Sequence, residues 1–494
     1  MKKITKILTP LALIIVLLNS CQKMSTDLEV ESKNDPDVKT LASDPVALQA
    51  TAGDIFHNWF MAISNYYGPG AAMKTMADEA TCSWGNAGMK DLSSEPRVAF
   101  NNTPSYSYEY ITSDYFNALY SVLSDSNMLV FAVENNTATF DDPNQILLAG
   151  KMGQALSVGY LALVFDRVWI PQNGESVEVS YQDAMHWALA RMDEAIALAD
   201  GGTGLPDGSI PGADVTGPSI SKLLNSLGAR MLANVARNST QKNQTDWSKL
   251  EQYASHGITS DFTIFMDDTN WYDLIPKTYL VYPGWARVDL RVIHLMDPNY
   301  PDYWDPAALS SSPYWDANNN TLLPANSPDA RLQSDFQYLT SNNFRPERGL
   351  YHFSSYRYAR YDQYITDWVM DLVEYTKAEN DMYLAEAKLE QGDVAGAAAI
   401  VNAGTRSTRG NLPPVAANAT DVKEAIMYER FVEFGFSTMG ISFWEMRRND
   451  LLQAGTLLHF PVPGKALATI PEPIYTYGGT EGTPGEDYST GGWR

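Results

Sequence analysis

The sequence predicts a mainly α fold, with helices paired into a scaffold and an irregular, loop-rich segment set aside for binding. Two patterns point there. Apolar residues recur at three- and four-residue steps from Asp44 to Met61, through several stretches between Ser113 and Arg237, and again from about Trp368. Between them, Phe262 to Trp315 packs twelve aromatic residues into 54 positions, far above the 12% of the whole chain, and is punctuated by Pro, Gly, Asn and Asp instead of helix caps. At 494 residues and 45% hydrophobic, the chain is long enough to be held by burial alone.

Lys2, Lys3 and Lys6 precede an apolar run from Ile7 to Leu18, and Asn19-Ser20-Cys21 follows. A basic start, a short apolar core and a small residue before cysteine describe a signal peptide over 1–20. The run falls short of the ~20 residues that span a bilayer. Cysteine at the cut site predicts lipid attachment at Cys21, where two or more acyl chains hold at ~0.8 kcal/mol per buried CH₂; the alternative is a plain secretory signal with an accidental cysteine. Beyond Cys21 only Cys82 remains, so no internal disulfide is available, and Cys82 reads as buried rather than nucleophilic. Formal charge is −24, and −27 once three lysines leave with the signal. Such acidity argues against nucleic acid and against anionic headgroups, leaving membrane contact to the lipid anchor. Residues 21–43 are polar and acidic and read as a flexible tether.

In chain order, Asp44 and Pro45 form a helix start for 44–67. Residues 78–112 hold Trp84-Gly85-Asn86, Glu95-Pro96 and Asn102-Thr103-Pro104 without a sustained period, and so predict a long ordered loop of the kind that carries function. Helical spacing fills 113–256: Ser113–Glu134, Gln145–Arg167, Tyr181–Asp200 and Ser219–Arg237, with a Gly/Pro-rich link over 201–217. Residues 257–350 form the second irregular region, helices return over 366–455, and 456–494 is a tail. Within Ala378–Thr405, alanines flank a Gly392-Asp393 turn between two short periodic runs, the mechanics of a tetratricopeptide-like hairpin.

At Tyr428–Arg448 the sequence reads YERFVEFGFSTMGISFWEMRR. Here Glu429, Arg430, Glu433, Phe434, Phe443, Trp444, Glu445, Arg447 and Arg448 resemble the C-terminal signature of the SusD/RagB family of outer-membrane nutrient-binding lipoproteins. Ser437 stands near an expected acid, and the arginine usual before the aromatic pair is missing, which marks a divergent member. YFNALYSVLSDSNMLV (Tyr115–Val130), GQALSVGYLALVFDRVWIP (Gly153–Pro171) and Phe460-Pro461-Val462-Pro463 resemble further family elements in the same order. The resemblance implies one SusD-like unit over 44–494, with four tetratricopeptide-like hairpins as scaffold and an irregular subdomain carrying the ligand. It further implies a non-catalytic protein on the outside of a Gram-negative outer membrane, delivering oligosaccharides to a SusC-like TonB-dependent transporter. A peptide-binding RagB-like protein and a surface glycoside hydrolase are the alternatives.

Sugars offer C–H faces and hydroxyl rims, so a site for them needs flat rings and planar polar groups. The candidates are Trp84 and Asn86 in the first region, and Trp271, Tyr272, Trp285, Tyr303, Trp304, Tyr314 and Trp315 in the second. Any one ring can equally be core. Adjacent pairs on extended backbone point apart, leaving one of each pair free to face solvent. Glu429 and Glu433 share a helix face and suggest a carboxylate pair, but Arg430, Arg447 and Arg448 nearby favour ion pairing. The six histidines show no ligand spacing, and neither a metal nor a cofactor is expected.

Overall fold

The computed structural model describes residues 43–82, 85–172, 174–274, 277, 279–305, 309–319, 321–340, 352–470 and 472–493. The expected signal, the lipidation site Cys21, the tether up to residue 42, Trp84 and the Cys82 side chain lie outside the described residues.

Helix α1 (Pro45–Ser64) starts where the sequence predicts, with the Asp44 carboxylate accepting from the amides of Val46 and Ala47. A short α2 (Gly70–Met76) leads to β1 (Ala80–Cys82). Next come α3 (Tyr110–Glu134), α4 (Pro143–Val164), the strands β2 (Arg167–Gln172) and β3 (Glu175–Ser180), α5 (Tyr181–Asp200), α6 (Gly217–Asn234) and α7 (Trp247–Ser255). The central region holds β4 (Phe262–Asp267), β5 (Ala286–Val288), β6 (Trp315–Asp316), β7 (Thr321–Leu322), β8 (Phe336–Tyr338) and β9 (Tyr356–Tyr358). It closes with β10 (Val369–Tyr375), and the scaffold resumes with α8 (Lys377–Glu390), α9 (Val394–Ala403), α10 (Ala419–Val432) and α11 (Ile441–Arg448).

The fold is therefore mainly α, as predicted, and successive helices pack side by side: α3 on α4, α4 on α5, α5 on α6, α7 on α8 and α8 on α9. The α8–α9 pair is the hairpin expected from its alanines. Ala385, Ala387, Ala397 and Ala398 are buried at the crossing, Gly392 takes a positive φ of 88° in the turn, and Asp393 caps α9 through the amide of Gly396.

Two predicted helices are shorter than expected. Gln145–Arg167 stops at Val164, and Arg167 opens the β2–β3 hairpin. There Val168 and Ile170 alternate inward while Gly174, at φ 83°, lies beside the turn. Helix also does not resume at Trp368. Residues 369–375 alternate their buried side chains as β10 and pair antiparallel with β4, Val369 opposite Asp267 and Leu372 opposite Ile264. Thr376 then caps α8 through the amide of Glu379.

Among the described residues, α4 is the one helix long and apolar enough to cross a membrane, yet 94% of its apolar window is buried inside the protein. It is the axis of the scaffold, and close approach depends on its glycines. A Cβ on Gly153 would lie 2.1 Å from Ser126 Oγ and 2.6 Å from Ile55 Cγ2. Gly153→Ala should accordingly lower stability by about 1–3 kcal/mol through overpacking, measured as a shift in the urea midpoint at unchanged m-value.

The C-terminal signature explains itself as two ion-pair clusters. Arg331, wholly buried, bonds Glu429 at 2.7 Å, Glu433 at 3.1 Å and Asp329 at 2.8 Å, while Arg360 and Arg409 also reach Glu433. Glu429 and Glu433 are thus ion-paired as the sequence suggests, but to arginines brought in from residues 331, 360 and 409. Arg430 and Arg448 turn the other way, both bonding Glu386 of α8 and Glu445 of α11, with Lys242 on Glu386 as well. Among the described residues Arg447 has only carbonyl acceptors: Leu163 at the end of α4, Asn234 at the end of α6, and Leu458. It closes two helix C-termini, where a cation is favoured by the helix dipole, although burial drives its guanidinium pKa well down.

Candidate ligand-binding surface

The two irregular regions of the sequence meet through backbone pairing. Strand β1 of the first pairs antiparallel with β5 of the second, Thr81 opposite Arg287, which sets Asn86 and Trp285 on neighbouring segments. Just beyond the C-terminus of α1, Asn65 adopts extended backbone and the chain turns through Tyr66, Tyr67 and Gly68. Tyr106, Tyr108 and Tyr110 rise to the start of α3 beside them.

The result is a continuous strip of rings. Tyr279 stacks on Trp285 with centroids 4.8 Å apart, and Tyr66 meets Tyr279 edge-on at 5.1 Å. Tyr67 follows Tyr66 at 5.5 Å and reaches Tyr110 at 5.3 Å, and Tyr108 and Tyr106 continue the line at steps of 6.2 and 5.6 Å. Tyr67 is 52% exposed, Tyr282 is exposed nearby, and Tyr66, Tyr106, Tyr108, Tyr110, Tyr279 and Trp285 are half-buried. The Asn86 side-chain amide donates to the Tyr66 hydroxyl. Burial, with Tyr110 close by, pushes the Tyr66 phenol above its ordinary value, and burial with a bond to Asp91 does the same for Tyr106. These groups stay protonated at neutral pH and present hydroxyls that both donate and accept.

Buried charge flanks the ring-bearing segments in sequence. Lys277 bonds Asp273 at 2.9 Å and Glu374 at 3.2 Å, and Thr438 donates to Glu374. Although burial opposes it, Asp273 and Glu374 hold the Lys277 ammonium above its ordinary pKa, whereas burial pushes Glu374 up and Lys74 down. Lys74 pairs with Glu79 at 3.2 Å. Charges this deep fix the backbone of the segments that bear the rings.

Of the residues singled out in the sequence, the structure brings Asn86 and Trp285 together in this strip. Trp271 is instead a core residue: Asp267 Oδ1 accepts from the amides of Thr269, Asn270 and Trp271 and turns the chain back beneath α1. There the indole stacks on Phe60 at 5.5 Å and Phe56 at 6.4 Å. Tyr272, its neighbour, is half-buried.

The other four rings form a second group. Tyr303 lies 4.0 Å from the His352 ring and donates to Glu95, while Trp304 stacks on Phe353 at 4.5 Å and meets Trp315 edge-on at 6.1 Å. Tyr314 donates to Asp297 at 2.7 Å, a bond that pushes its phenol up to about 12. Neighbours in each pair take different partners, and of the four Tyr303 is the most exposed, at 41%. The six strip tyrosines were missed, although two signals were present: Tyr66-Tyr67 before a Gly-Pro-Gly break, and the alternating SYSYEY at 105–110.

The strip offers flat apolar faces ringed by hydroxyls and an amide. Among the described residues no cluster of three His, Cys, Asp or Glu could hold a metal ion, and the paired carboxylates Glu429 and Glu433 are locked inside the arginine cluster.

No protein-family profile matches the chain, and no curated protein matches it by sequence. Solved structures do match. A SusD superfamily protein from Parabacteroides distasonis aligns over 88% of this chain and 98% of its own, with a TM-score of 0.56 at 12% identity. One from Bacteroides vulgatus aligns over 82% and 88%, with a TM-score of 0.55 at 14% identity. A SusD-like carbohydrate binding protein from Bacteroides fragilis aligns over 83% and 87%, with a TM-score of 0.55 at 14% identity. By its helical scaffold and by these superpositions, the chain has the SusD-superfamily fold.

Proposed function

We propose that this protein binds saccharide nutrients on the tyrosine strip without altering them. In this reading lipid on Cys21 holds it at the outer face of the outer membrane, where it delivers its ligand to a SusC-like TonB-dependent transporter. The observation that carries the reading is the strip itself: half-exposed rings in a row, with Asn86 and phenolic hydroxyls at their edges, match the alternating C–H faces and hydroxyl rims of a sugar chain. The B. fragilis structure described as carbohydrate binding supports the same chemistry. Trp304 and Tyr303 are proposed to extend the surface, and Trp84, two residues before Asn86 in sequence, stays a candidate ligand residue.

Electrophoresis through native gels containing a panel of polysaccharides tests it. Retarded migration without product is the expected result, whereas release of reducing ends would make the protein a glycoside hydrolase. Blank gels with binding to peptides would favour the RagB-like alternative. With the retarding glycan in hand, Trp285→Ala should weaken affinity about tenfold, from loss of a stacked ring worth roughly 1 kcal/mol or more, read by isothermal titration. Labelled palmitate incorporated into the wild type but not into Cys21→Ala checks the anchor.

A further inference from the structure

A groove of about 830 Å³ runs along the outer face of the scaffold, on the far stretch of α3 from the tyrosine strip. Its walls are α3 and α5, its floor is α4, and the β2–β3 hairpin overhangs one end. Helix α3 measures the separation. Tyr110 of the strip is its first residue, while the groove occupies positions 120–135, roughly 15 to 37 Å further along at 1.5 Å per residue.

Three features define what the groove would hold. Flat rings line it: Tyr120, whose hydroxyl accepts from the Trp169 amide at 2.7 Å, Trp169 itself, and Trp187. Acceptors lack donors. The Gln154 amide donates to Asn127 at 2.8 Å, but its buried Oε1 accepts no hydrogen bond among the described residues. The Asp125 carboxylate has no donor bonded to it there either, and burial alone pushes its pKa up. A modest rotation about the soft terminal torsion of Gln154 would present Oε1 to a ligand. Finally, the groove's cations are already neutralised: Lys151 lies 3.0 Å from Glu134 and 2.9 Å from Glu194, and Arg191 lies 2.6 Å from Glu194. An anionic ligand would find no free positive charge. A neutral polyol, by contrast, brings a hydroxyl donor on almost every carbon and C–H faces for the rings.

We infer that this groove is a second saccharide site, taking a neutral oligosaccharide between Trp169 and Trp187 with its hydroxyls on Asp125 and Gln154. The volume lies within the ~300–1,000 Å³ usual for ligand sites. The site is independent of the tyrosine strip, so a long glycan can meet the protein at two places on α3.

Isothermal titration of the full chain, in a non-glycosidic detergent, with maltohexaose, cellohexaose, xylohexaose and mannohexaose decides it. In a Tyr67→Ala/Trp285→Ala background, one of these should still bind at one site per chain. Adding Trp187→Ala should weaken that binding about tenfold, and the near-isosteric Asp125→Asn should weaken it severalfold without touching the fold. If the background variant binds nothing while the wild type binds, the second site is wrong and the strip stands. If the strip substitutions change nothing while those at Trp187 and Asp125 abolish binding, the groove stands and the strip falls. Indifference to both Trp187→Ala and Asp125→Asn overturns the groove, as does binding of casein peptides to the background variant where no saccharide binds; no saccharide binding to the wild type overturns both sites.

Discussion

Arg331→Met should cost about 3–5 kcal/mol of folding stability, the usual penalty for stripping one partner from a buried ionic cluster. Arg331 gives two nitrogens to Glu429, at 2.7 and 2.9 Å, one of which also bonds Glu433, and it contacts Asp329 through Nε and Nη2. Without it, Glu433 keeps Arg360 and Arg409, but among the described residues Glu429 retains only the hydroxyl of Thr405, and Asp329 keeps Tyr428 and the backbone amide of residue 331. Two carboxylates are then stranded in a water-poor interior. Lysine should not rescue the loss, because one ammonium cannot reproduce a planar fork spanning several acids. Urea denaturation of Arg331→Met, Glu429→Gln and the double variant checks this: the double should be more stable than the sum of the singles implies, and strict additivity would show that the pair is not coupled.

The second large effect lies at Glu386→Gln. Burial opposes the charge on Glu386, but Arg430, Arg448 and Lys242 hold its carboxyl well below the ordinary range. A group depressed in the folded state stabilises above its unfolded pKa, and that contribution drains away as pH falls through the interval down to the folded value. The contribution of Glu386 should therefore be level near neutrality and decline once pH drops below about 4.3. Glu386→Gln should lose roughly 3–5 kcal/mol at pH 7, where three buried cations face Glu445 alone, and its stability should fall less steeply with acid. Glu445, also held down by Arg430 and Arg448 against burial, contributes to the remaining slope. Parallel stability curves for the two proteins would show that Glu386 is not the titrating group.

How much of this could be read from the residues follows from the range of the forces involved. Helices α1, α3, α5 and α8–α9 were legible because a cap, a turn and a repeat of apolar positions act within a few residues. Strand β10 was not, since its partner β4 lies about a hundred residues away in sequence and alternation over seven positions is a faint signal beside neighbouring helices. The β2–β3 hairpin was nearer to hand: Val168 and Ile170, then Asn173-Gly174, then Val177 and Val179, form a local hairpin pattern that the apolar run of α4 obscured.

The site divides in the same way. Asn86 and Trp285 were visible as residue types in loop context, but a ring's surroundings decide whether it is wall or surface. Trp271 shows the point, since its depth is set by the amides that Asp267 gathers. The tyrosines at 66, 67, 106, 108 and 110 became a row only when the end of α1 and the start of α3 were brought side by side.

The burial of α4 has a consequence for biogenesis. On the export route proposed above, the chain is threaded through the cytoplasmic membrane before it folds, and residues 143–164 then pass the translocation channel as a bare segment of spanning length. Lys151, Gln154 and Ser157 interrupt that segment while packing among the helices once folding is complete. Leucine at all three positions would leave an uninterrupted greasy stretch from Ile146 onward, a stop-transfer signal that would strand the C-terminal two-thirds of the polypeptide on the wrong side.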